Sequence, residues 1–87
     1  MLGDDNMSSY ELKAISAFGN NKRQKEFDKY IGQKFQMNDK ISYGNNVILK
    51  FADGEIKGKL ENVECANGEV TLVTNNFVLV CKPNEDK

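Results

Sequence analysis

The clearest pattern in the chain is a period-two alternation of apolar and polar residues that runs from Asn46 to Cys81. Val47, Leu49 and Phe51 alternate with Ile48, Lys50 and Ala52, and Ile56, Gly58 and Leu60 alternate with Lys57, Lys59 and Glu61. Successive side chains of a strand point to opposite faces, so these runs predict two half-buried strands. Asp53-Gly54 between them predicts a tight hairpin, because both residues accept positive φ. After Leu60 the apolar phase moves by one residue, to Val63 and Cys65. A slip of one would turn a whole strand inside out, so it predicts a β-bulge near Glu61-Asn62. Asn67-Gly68 predicts a second hairpin, Val70 and Leu72 a third strand, and Asn75-Asn76 a third turn. Phe77, Leu79 and Cys81 form one face of a fourth strand, and Val78 and Val80 make its other face apolar too. A strand apolar on both faces predicts a second covering layer, either a helix or another subunit. Pro83 ends the sheet. Gly58 inside a strand predicts a sharp bend, and together with the bulge it predicts a sheet curled into a barrel.

The first half of the chain has a different rhythm. Ser8-Ser9-Tyr10-Glu11 has the spacing of a capping box, and Leu12, Ile15 and Phe18 follow at intervals of three. This predicts a short amphipathic helix closed by Gly19-Asn20. Asn21 is placed to cap a second helix, over Lys22 to Ile31, with Phe27, Tyr30 and Ile31 as its apolar stripe and Gly32 as its stop. Lys22, Arg23 and Lys25 in its first turn oppose the helix dipole, which predicts a start later than Lys22. In residues 33–44, Phe35 alternates with Met37 and Ile41 with Tyr43, as in short strands or an extended connector, with a turn at Asn38-Asp39. The expected fold is α+β and mainly β: an N-terminal helix or two short helices, then a strongly bent antiparallel β-meander forming a small barrel. One domain is expected over residues 9–83, with a disordered leader over 1–8 and a tail over 84–87.

Composition narrows the possible chemistry. With 87 residues, 39% hydrophobic and 29% charged, the chain has room for one domain with a modest core. Asp4 and Asp5 occupy the place of a signal peptide's basic region, and no apolar run approaches the ~20 residues of a membrane span. A cytoplasmic protein with no membrane association is expected. The chain has no histidine and two cysteines, Cys65 and Cys81. That removes Ser–His and Cys–His nucleophile pairs and the usual zinc sites, so no metal, no cofactor and no enzymatic activity are expected. The cysteines are expected to be reduced thiols, while a disulfide between neighbouring strands stays open. The net charge of −1 is uneven: residues 10–60 carry an excess of four positive charges and residues 61–87 an excess of three negative ones.

The stretch from Val47 to Glu64 resembles the first motif of Sm-like proteins. Asp53-Gly54 matches the acidic-Gly turn, Gly58 the glycine of the bent strand, Leu60 the apolar residue two positions later, and Glu64 the acidic residue further on. The likeness spans residues 46–74. Two positions depart from the pattern: the asparagine after Glu64 comes at three residues rather than four, and Asn75-Asn76 stands where the family has a basic-Gly loop. The resemblance implies an SH3/Sm-like barrel that assembles into a ring oligomer and binds single-stranded RNA. Lys57, Lys59, Asn67, Asn75 and Asn76 are the candidate contacts to RNA or another partner, and Val78 and Val80 are candidates for a homo-oligomer interface. The alternative is a protein-interaction or inhibitor module acting through a barrel surface or an edge strand. The richness in Lys and Asn, with Arg23 the single arginine, suggests a bacterial, phage or mobile-element source.

Overall fold

The structure, a computed structural model, describes residues 7–19, 21–38 and 42–84. Six strands and one helix follow in the order β1 (Met7–Ala17), α1 (Asn21–Asp28), β2 (Lys34–Asn38), β3 (Asn46–Phe51), β4 (Gly54–Ala66), β5 (Glu69–Thr74) and β6 (Phe77–Pro83). The strands pair antiparallel in chain order, and β6 returns to pair with β1, closing a barrel. The small barrel expected from the alternation is present.

The expected first helix is a strand. Leu12 and Ile15 both face the core, but the spacing of three comes from a register shift between Leu12 and Ala14. One extra residue in a bulge converts period two into an interval of three and so mimics a helical stripe. Ser8, assigned to the leader, lies inside β1. The second helix exists and starts at Asn21, with no acidic residue in its first turn, so the late start did not occur. It ends at Asp28 and continues as tight turns, with Tyr30 N–H donating to Phe27 C=O (2.9 Å) and Gly32 at φ 90°. In residues 33–44, Phe35 and Met37 are buried on β2 as their alternation predicted. Tyr43 sits in an exposed turn, and Asp39, Lys40 and Ile41 lie outside the described residues.

From Asn46 on, the strands match the expected meander, with one change at the first hairpin. Phe51 pairs with Gly54, so the two-residue loop is Ala52-Asp53, and neither Asp53 nor Gly54 has positive φ. Gly54 instead faces the Tyr30 hydroxyl, which a Cβ there would meet at 2.5 Å and push aside. The second hairpin is as read, with Asn67 and Gly68 at φ 55° and 78°. The bulge in β4 falls between Leu60 and Asn62, as predicted. The third turn carries no positive φ; the Thr74 side chain closes it instead, accepting from Asn76 N–H (3.1 Å) and Phe77 N–H (3.0 Å).

β1 and β4 are the long strands that bend from one half of the barrel to the other. β4 pairs with β3 through Gly54–Lys59 and with β5 from Leu60 onward. The core gathers Leu12, Phe35, Leu49, Leu60, Leu72, Phe77 and Leu79. Helix α1 and the turn after it plug the core: Phe27 of the helix meets Phe77 edge-on (5.5 Å, 82°), and Tyr30 of the turn lies on Phe51 (4.2 Å). Among the described residues no helix is long and apolar enough to cross a membrane.

Candidate functional site

Backbone parity along β4 sets the site. Leu60 N–H donates to Asn45 C=O (2.9 Å) and Gly44 N–H to Leu60 C=O (2.8 Å), so the even-numbered residues turn their peptide groups toward β3. Glu55, Lys57 and Lys59 therefore turn theirs the other way, where β5 would lie. Pairing with β5 starts only at Leu60 opposite Thr74. Asn75 fills part of the gap: Lys59 N–H donates to Asn75 Oδ1 (2.9 Å), and Asn75 N–H donates to Lys59 C=O (3.1 Å). The asparagine side chain acts as one more strand residue.

The side chains of Lys57 and Lys59 stand on the outer surface of the barrel, since Ile56, Gly58 and Leu60 are buried. Their cross-strand neighbours on β3 are Ile48 and Asn46. Asn46, Lys57, Gly58, Lys59, Asn75 and Asn76 line one shallow, open depression. Neither lysine is in an ion pair among the described residues. Ile48, 38% exposed, adds an apolar contact beside them. What the depression offers a ligand is two cations, amide groups and a small apolar surface.

Four of the five residues expected to contact a partner thus converge. Asn67 does not: its hairpin joins β4 to β5 at the opposite end of β5, beside Cys65, Glu69, Val70 and Pro83. Asn46 and Ile48 complete the lysine face and were not singled out from the sequence, where they read only as the start of a strand. Val78 and Val80 lie half-buried on the outside of β6, which is hydrogen-bonded to β5 on one side and to β1 on the other. β6 is therefore not an edge strand.

The two thiols are free, Cys65 exposed and Cys81 buried. Both are in register with Val70 on β5, which lies between them, so they stand two strands apart and out of disulfide reach. Burial pushes the Cys81 thiol up to about 12, with the neighbouring Cys65 adding to the shift. It is therefore protonated near neutral pH and offers no thiolate.

Comparisons with models of protein families, with curated proteins and with solved structures find no match to this chain in any of the three.

Proposed function

We propose that the protein is a small, non-enzymatic, Sm-like binding module that holds single-stranded RNA on the outer face of β3 and β4. The observation that supports this is the meeting of Lys57 and Lys59 with Asn46, Asn75 and Asn76 on one open surface, with neither lysine neutralised by a carboxylate among the described residues. The lysines take phosphates. Asn75 spends its Oδ1 on Lys59 and keeps its Nδ2 donors, while Asn46 and Asn76 add further amides for base edges or riboses. None of these residues is aromatic, so stacking contributes little and phosphate contacts dominate. Binding is then strongly salt-dependent and only weakly sequence-selective. The closed barrel pairs β5 and β6 on both sides, so a ring joined by strand addition at β6 is not the assembly we propose.

The test is titration of a short single-stranded RNA at two salt concentrations with the wild type and with Lys57→Glu/Lys59→Glu. Losing two phosphate contacts should flatten the slope of log affinity against log salt by about 1.4, at about 0.7 per phosphate. Asn67→Ala, at the far end of β5, should bind as the wild type does. Absence of binding at low salt, or equal binding by the charge-reversed variant, would refute the reading.

A further inference from the structure

Among the described residues no element packs over the outer face of β6 as the predicted second layer. Leu72, Leu79, Cys81, Leu12 and Ile15 point into the core, so the alternate residues of β5, β6 and β1 form the outer surface. On it Val73 stands opposite Val78 and Val78 opposite Ser16, while Thr71 stands opposite Val80 and Val80 opposite Ala14. Phe18, two residues beyond Ser16, continues this surface and is 49% exposed; its N–H donates to Asn76 C=O (2.9 Å). Helix α1 turns Phe27 to the core and packs along β1. Four β-branched side chains flanked by small residues and an exposed phenylalanine make an apolar patch, a type of surface that marks an interface.

The charges at its margins select the occupant. On the β4–β5 side the same surface carries Glu64, opposite Thr71, and Glu69, neither in an ion pair among the described residues. On the β1 side the neighbouring element is α1, with Lys22, Arg23 and Lys25 exposed against Glu26 and Asp28, and on β6 Lys82 stands on the same surface, opposite Glu11 of β1. A two-fold axis running across the strands would place Glu64 of one copy near Glu64 of the other. An axis running along the strands places each acidic margin over the basic margin of the other copy and centres the contact on Val73, Val78, Thr71 and Val80. We infer that this face joins two copies of the chain, packed sheet to sheet about a two-fold axis parallel to the strands. The face presents far fewer residues than the roughly 20 a side of a standard interface, so the dimer dissociates on dilution. The Lys57–Lys59 depression borders this face at Asn76, whose C=O accepts from Phe18 N–H. The inference does not depend on RNA binding.

Sedimentation of the full chain without RNA, over a range of concentrations, tests it. The wild type should pass from monomer to dimer as concentration rises. Val78→Arg, at the centre of the contact, and Phe18→Ser, outside the strands and harmless to folding, should each raise the dimer dissociation constant at least about tenfold. Glu64→Lys should weaken the dimer, and adding Lys22→Glu and Lys25→Glu should restore it. A monomer at every concentration, or a dimer indifferent to Val78→Arg and Phe18→Ser, overturns the interface. A charge swap that fails to restore pairing overturns the axis.

Discussion

At the scale of single residues the tightest spot is where Gly58 passes Thr74. A Cβ on Gly58 would lie 2.7 Å from Thr74 Oγ1, 2.9 Å from Thr74 Cβ and 3.1 Å from Phe77 Cε2. Thr74 cannot retreat: it is fully buried, and its hydroxyl accepts from Asn76 and Phe77 N–H and donates to Phe77 C=O (3.1 Å). Gly58→Ala should therefore cost about 1–3 kcal/mol as an overpacked site. Thr74→Val, which keeps the shape and leaves the buried Phe77 N–H and the half-buried Asn76 N–H without the hydroxyl, should cost about 1–3 kcal/mol. Thr74→Ser should cost less than Thr74→Val. Denaturant unfolding of the three variants checks the order; a Thr74→Val as stable as the wild type would refute the role of the hydroxyl. The sequence marks Gly58 as a residue needing a reason, because a glycine weakens a strand. It could not name the reason, a threonine sixteen residues away brought close by the closure of the barrel. At Gly54 the close neighbour is the Tyr30 hydroxyl, from the turn after the helix.

At the scale of elements, β1 and β4 follow one design. Each is long, bends between two partners and carries a bulge that spaces inward residues by three, Leu12 to Ile15 and Leu60 to Val63. In β4 the flanking alternation is long enough to expose the interval as a slip in phase. In β1 the interval sits among alanines behind a capping-box spacing, and the local signal favours a helix. Pairing with β2 and β6, which no local pattern carries, decides otherwise. The segment of β1 beyond β2 is then left with open peptide groups, and α1 completes it. Ala17 N–H donates to Gln24 Oε1 (2.7 Å), and Gln24 Nε2 donates to Ile15 C=O (3.0 Å). Gln24 serves β1 as Asn75 serves β4, by a side-chain amide that imitates a strand residue. Gln24→Ala should cost about 1–2 kcal/mol, since both backbone groups lose their partner at a half-buried site. Thermal unfolding gives the value; an unchanged midpoint would mean that water replaces the amide without loss.

At the scale of the whole molecule the barrel is closed but not evenly sewn. β4, β5, β6 and β1 pair over long registers, and β2 pairs with β1 along its length, whereas among the described residues β2 and β3 share a single pair, Gln36 with Lys50. β2 is held on that side mainly by side chains: Phe35 and Met37 are buried, and Phe35 packs against Phe51 (5.1 Å) and Tyr10 (5.7 Å). The consequences for exchange and for stability differ. Amide exchange reports the opening of hydrogen bonds, and segments with few of them open below the global unfolding free energy. Peptides over Lys34–Asn38 should therefore exchange at least about tenfold faster than those over Glu69–Thr74, a gap of about 1.4 kcal/mol in opening free energy. Phe35→Ala should still cost about 3–5 kcal/mol, because the ring belongs to the core whichever backbone bonds β2 makes. Fast exchange together with a costly Phe35→Ala would identify β2 as a strand docked by its side chains, and equal protection of β2 and β5 would refute the uneven seam. A β2 of this kind leaves the lysine face and the valine face on the well-paired strands, so both proposed surfaces stand on the more rigid part of the barrel.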